Sequence, residues 1–192
     1  NANIAAGLNL TNIAGAVTQQ VGTAVSVGTL TGSGNSGSIT LDNASNQFTD
    51  IGALSTTTGG IAINDNTGSL NIAGAVNGGT GAVKLKTVGN ISQTAAVSTT
   101  STGDAVVLVA GGNYSNTAGV SASSAGSGRW VVYSTNPASN TFGGLASGNA
   151  AVYNTTHAGT PPSGIAAGNR YVFSFQPTAN ITANAQTRVY DR

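Results

Sequence analysis

The chain has 192 residues, 39% of them hydrophobic and only 6% charged, with a net charge of +1 and no Cys, Met or Glu. Soluble domains usually carry roughly 25% charged residues. The missing field of clustered Lys and Arg sets nucleic acid aside, the missing Cys removes disulfides and thiol chemistry, and no apolar run reaches the roughly 18 residues that would span a bilayer. Asn, Ser and Thr supply about a third of the chain and Gly adds 28 residues, a composition of turn formers in which helix is not expected. No basic and apolar leader opens the chain at Asn1, so a removed leader or a fragment is expected, and a cysteine-free chain rich in Asn, Thr and Gly favours an extracellular or cell-surface location.

In chain order, the first patterned stretch is "GAVTQQ", 15–20, which is echoed by "GNISQT", 89–94, as Gly-x-(Val/Ile)-x-Gln. Next come "GSITLDNASNQF", "GGIAINDNTGSL" and "GAVKLKTVGNIS", each led by an apolar-polar-apolar triplet. Ile39, Ile61, Val83 and Val106 head the triplets at intervals of 22, 22 and 23 residues. A second apolar column, Leu54, Val76, Val97 and Val120, keeps a similar step, and a looser third runs through Ile51, Ile72 and Ile91. Within each triplet the period is two, which places Ile39 with Leu41, Ile61 with Ile63, and Val83 with Leu85 on a buried face. Thr40, Ala62, Lys84 and Val107 then lie on the opposite face. Three columns predict three sides.

Strands of three to five residues, broken by Gly, Asn and Ser turns and recurring about every 22 residues, predict an all-β fold: a right-handed parallel β-helix over 1–128. The apolar columns fill its bore, and the interior Asn, Gln, Ser and Thr satisfy backbone groups in stacked rows. A 22-residue unit is too short for a propeller blade, and a leucine-rich repeat would show its Leu and Asn signature.

After "SASSAGSG", 121–128, the composition changes: all four Pro, all four Arg, His157, Trp130 and most of the Tyr and Phe follow. A boundary at 128 and an aromatic, β-rich C-terminal cap over 129–192 are predicted. "RWVVYSTNP" and "RYVFSFQP" share one layout and are expected to pair as strands. Val131, 23 residues beyond Leu108, places 130–133 as a continuation of the coil. Between the two runs only one short element, around 150–154, is expected. Such a segment would cover the open edge of the β-helix, where unpaired strand groups invite end-to-end sticking.

Little here can do chemistry. Asp42 aligns with Asn64 and Asn43 with Asp65, so the two carboxylates are candidates for a pair on neighbouring coils, although Asp beside Asn at a strand end is ordinary turn chemistry. His157 has no Cys, Glu or second His to join it, so no metal site, cofactor or catalytic residue is expected. Lys84 and Lys86 read as a solvated face, and no Thr column supports ice binding. The aromatics remain. Tyr171, Phe173 and Phe175 share one face and read as cap core, which leaves Trp130, Tyr133 and Tyr153 as candidate ligand-binding rings.

The stretch "GSITLDNASNQF", the Gly-x-(Val/Ile)-x-Gln echo and, more specifically, "GRWVVYSTNPASNTFGGL" with "GNRYVFSFQP" resemble the large filamentous-haemagglutinin-like exoproteins of Gram-negative bacteria. "TRVYDR", 187–192, is similar to the opening of the YDG or MBG repeats that follow the shaft of those adhesins, except that Arg192 stands where the repeat has Gly. The amino-terminal secretion domain of the family is not present, which again points to a piece of a longer polypeptide. The resemblance implies export through an outer-membrane secretion partner, by two-partner secretion or a similar route, and a structural or adhesive role in cell adhesion, biofilm or a surface fibre. It implies contact with host or bacterial glycans or proteins and no catalytic residue to carry over; with no apolar run to insert in a membrane, neither membrane insertion nor enzyme activity is expected. Two other readings stay open: a filament subunit that self-associates end to end by strand addition through "ITANAQTRVY", and, more remotely, a polysaccharide-active β-helix enzyme.

Overall fold

Short apolar-polar-apolar triplets cannot bury their apolar face alone, and the chain solves this by stacking them. The computed structural model describes residues 2–179 and 181–184. It is a parallel β-solenoid of about six coils of about 22 residues each.

Seven strands make the first side: β2 (Val17–Thr18), β4 (Ile39–Leu41), β6 (Ile61–Asp65), β9 (Val83–Thr87), β12 (Asp104–Ala110), β15 (Arg129–Ser134) and β16 (Arg170–Phe173), stacked in that order. Ile39 pairs with Ile61, Ile61 with Val83 and Val83 with Val106, so the 22-residue column is one inward row. The second side stacks β1 (Ala2–Asn9), β3 (Val25–Asn35), β5 (Gln47–Thr56), β7 (Ser69–Ile72), β10 (Asn90–Gln93) and β13 (Tyr114–Asn116). The third holds β8 (Val76–Asn77), β11 (Val97–Ser98) and β14 (Ser123–Ser124). Because β3 and β5 are long enough to turn the corner, sides two and three form one sheet.

The bore is apolar where the columns predicted it, with Ile39, Ile61, Val83, Leu85, Ile51, Leu54 and Val76 all buried. Most polar groups inside it are satisfied, the buried Thr56 and Ser123 hydroxyls being without a partner among the described residues. The Asn35 amide donates to the carbonyls of Leu10 and Ser55 and accepts from the Ile13 N–H, so one side chain ties three coils together. At one corner, Gly15, Gly37, Gly59 and Gly81 recur every 22 residues and let successive turns touch. A Cβ at Gly59 would lie 1.9 Å from the Ser38 nitrogen, and one at Gly81 would lie 2.2 Å from the Gly60 nitrogen. Only glycine fits there.

Four details differ from the sequence-based expectation. Ser123, not Val120, pairs with Val97, because the turn at 117–122 is lengthened and carries Val120 outward, 71% exposed. Ile91 pairs with Leu70, and the partner of Ile72 is Gln93, whose amide donates to Ala95 and Ala122 carbonyls and whose carbonyl accepts the Tyr114 hydroxyl at 2.6 Å. A buried Gln thus replaces Ile without leaving a lost hydrogen bond. The "GAVTQQ" and "GNISQT" echo is not a winding repeat, since Val17 lies on side one and Ile91 on side two. Finally, Leu108 pairs with Val132, one residue later than expected.

The first side crosses Gly128 without a break: β15 continues β12, and β16 pairs in parallel with β15, as the two matching sequence runs predicted. Residues 152–155 then hydrogen-bond along the free edge of β16, with Val152 bridging Val172. The segment returns across the outside of side one. There Val107, Val109, Val131, Tyr133 and Val172, all outward-pointing, are buried with Ile165 into a second small core. Arg129 fastens this cover, pairing with Asp104 at 2.7 Å and donating to the carbonyls of Pro162, Ile165 and Ala166.

Candidate functional site

Alternation along β15 sends Trp130 inward and Tyr133 outward, but neither ring reaches solvent. Trp130 is 3% exposed, edge-on to Tyr171 with centroids 5.0 Å apart in the bore. Tyr133 is 2% exposed beneath the covering segment, and its hydroxyl donates to the Thr160 carbonyl at 3.0 Å. Burial pushes the Tyr133 phenol up to about 12, Arg129 opposing and Asp104 reinforcing the shift. Both rings therefore act as packing, and neither offers a face for a ligand.

Tyr153 is different. It is 39% exposed and sits over Phe173 with centroids 5.5 Å apart, at the rim of a cleft of about 600 Å³ at the end of the bore. Phe142, Leu145, Tyr171 and Phe173 form the floor, with Asn149 and Ser147 at the margin. Phe142 and Tyr171 meet edge to face at 4.7 Å, and the Tyr171 hydroxyl is spent on the Leu145 carbonyl. Asn149 and Ser147 bond each other. What remains available is a ring face with a phenol hydroxyl that has no partner among the described residues, the arrangement on which a sugar ring stacks while one of its hydroxyls is hydrogen-bonded. Phe175, 42% exposed, lies outside the bore core, unlike Tyr171 and Phe173.

The Asp42 and Asp65 pair is not assembled. Asp65 is fully buried, its carboxylate accepting from the Phe48 N–H at 2.8 Å, the Thr67 N–H at 3.0 Å and the Thr87 hydroxyl at 2.8 Å. Asp42 is exposed on the outer face, where the Asn64 amide donates to its backbone carbonyl. A wall of the solenoid separates them, and Asp65 serves the coil-to-coil ladder. His157 stands edge-on to Tyr133 at 5.1 Å, beside Lys84 and Lys86. Among the described residues no three His, Cys, Asp or Glu side chains are gathered to hold a metal ion, and no helix is long and apolar enough to cross a membrane. The strand-adding segment at 181–190 lies outside the described residues beyond Asn184, as does "TRVYDR".

The sequence reading missed the outer-face core and its Arg129 clamp. The available signal was the change of the outward column from Thr40, Ala62 and Lys84 to Val107 and Val131, which announces a covered face. Family models, curated proteins and solved structures give no match to the chain.

Proposed function

We propose that this chain is a structural and adhesive piece of a secreted bacterial surface exoprotein, a stiff shaft that ends in an aromatic cleft, acting outside the cell and without catalysis. The observation that carries the reading is the uninterrupted parallel ladder. Every coil is hydrogen-bonded to the next along the axis, most interior polar groups are spent on that ladder, and hardly any charge interrupts it. Such a rod holds whatever it carries at a distance from its anchor. Its partners on this reading are surface glycans or proteins met through the Tyr153 cleft, together with an outer-membrane secretion partner during export.

Antibody raised against the folded chain is expected to label intact, unpermeabilised producing cells, and the purified chain is expected to bind members of a glycan array through Tyr153. Tyr153→Ala should abolish that binding while circular dichroism stays unchanged. Labelling only after permeabilisation would overturn the surface role. Release of reducing sugar from a polysaccharide panel, lost in Asp42→Ala, would replace the reading with an enzyme.

A further inference from the structure

The outer face of side one changes character halfway along. Its column Asp42, Asn64, Lys86, Val109, Tyr133 runs from open and polar to covered and apolar, one residue per coil. The covering segment ends over Val109 with His157, leaving a step, and at its foot lies a groove of about 230 Å³ that continues beside Tyr133 into another of about 330 Å³. Three kinds of group meet there.

Lys84 and Lys86 are exposed, project from one strand at positions i and i+2, and so stand about 7 Å apart. Among the described residues the ion pair is Arg129 with Asp104, and Arg170 is bonded to backbone carbonyls. Among the described residues the two lysine ammoniums therefore have no paired anion and face solvent. Along the same face the Asn64 amide oxygen, one strand spacing away, and the Asp42 carboxylate, two spacings or about 10 Å away, offer hydrogen-bond acceptors. At the other end the half-buried His157 ring and the edge of Val109 give a small apolar wall, with Tyr133 packed behind it.

Each simpler occupant fails on one of these groups. A bare inorganic anion would use the lysines but meet repulsion from Asp42 and gain nothing from the wall. A neutral sugar would leave two cations unused. A nucleic acid needs many more phosphate contacts than two lysines supply. An acidic sugar uses all three: its carboxylate meets an ammonium, its hydroxyls donate to Asp42 and Asn64, and its C–H face lies against the His157 ring and the edge of Val109.

We infer that this groove binds a carboxylated saccharide, with Lys84 and Lys86 taking the carboxylates of successive residues and Asp42 with Asn64 reading their hydroxyls. The site is separate from the Tyr153 cleft, and it stands or falls whatever the role of the rod as a whole. Burial first, then Lys86 and Lys84, hold the His157 imidazole below its usual 6.5, so near neutral pH it is uncharged and reports the site without supplying its charge.

The test is titration of the folded 1–192 chain with oligogalacturonate, followed by calorimetry and by the ring resonances of His157. Binding that weakens with salt, shifts those resonances and drops about tenfold or more with the methyl-esterified oligomer is expected. The exposed double change Lys84→Gln/Lys86→Gln should remove binding to the same degree. Asp42→Ala should weaken oligogalacturonate while strengthening any affinity for inorganic sulfate, because a hydroxyl acceptor and a repelling charge are lost together. No binding by the folded chain, binding that survives the double lysine change, or dextran sulfate binding as well as oligogalacturonate and ignoring Asp42 would each overturn the inference.

Discussion

At the scale of single residues, the tightest constraint falls on positions that carry no side chain. Gly59 abuts the Ser38 nitrogen of the preceding coil, so a methyl there must push two turns apart in a stack whose every coil depends on the 4.8 Å spacing. Gly59→Ala is expected to cost about 2 kcal/mol or more in urea unfolding. Gly68, with nothing within 4 Å of its would-be Cβ, should tolerate Ala within about 0.5 kcal/mol. His157 gives a second residue-level prediction. Its imidazole is held below 6.5, burial being the larger cause and Lys86 and Lys84 the next, so the unfolded chain takes up this proton before the folded one does. The stability it contributes is present above pH 6.5 and is lost as pH falls through the folded value. Removing one ammonium in Lys86→Gln should move the imidazole titration, followed by NMR, part of the way back toward 6.5. An unchanged titration would mean that the two groups do not share the groove.

At the scale of elements, the covering segment is held to side one by Arg129 and by the small outer core around Tyr133 and Val131. Arg129→Ala makes a prediction whose sign separates two cases. If the guanidinium is what fastens the segment, the segment lifts, the Tyr133 phenol is rehydrated and its titration falls from about 12 toward 10, with faster proteolysis within 155–168. If the segment stays down, loss of a nearby cation alone drives the phenol higher still, since Arg129 lowers it. We expect the fall, read by ultraviolet difference titration. The elements differ in how plainly the sequence announced them. Side one was legible because its inward row is apolar in every coil, from Ile39 to Val106, and period two fixes the rest. Sides two and three were legible only in part. Gln93 is satisfied by Tyr114 and Ala122, partners 21 and 29 residues away that a hydrophobic column does not reveal, and Ser123 takes an inward place because the turn before it is longer than its predecessors. Of the three candidate rings, Tyr153 alone is exposed, because burial of Trp130 and Tyr133 depends on β16 and on 152–165 lying over them in the fold.

At the scale of the whole molecule, a solenoid has two ends, and each end is a row of unpaired N–H and C=O groups beside an open apolar bore. The chain after Gly128 answers this at one end: β15 and β16 add two strands to side one, 152–155 pair with the last of these, and six rings gather over the bore around Tyr171 and Phe173. Truncation to 1–128 would strip all of it at once. The edge of β12 would then be free, Val107 and Val109 would lose their cover, and Tyr114 would face water beside Leu108. Parallel strands with alternating apolar faces offer the next molecule the same register they offer the next coil, so the truncated chain is expected to associate end to end. Light scattering should grow with concentration, while the full 1–192 chain stays at constant mass over the same range. A charge placed on the bared edge, as in Val107→Lys beside Lys84, should suppress that growth, because a lysine on an edge strand disfavours the pairing of a further strand. A truncated chain that remains monomeric would mean that its edge is blunted by twist or by the Gly111 and Gly112 turn, and that the aromatic end is there for its Tyr153 cleft rather than as a stopper.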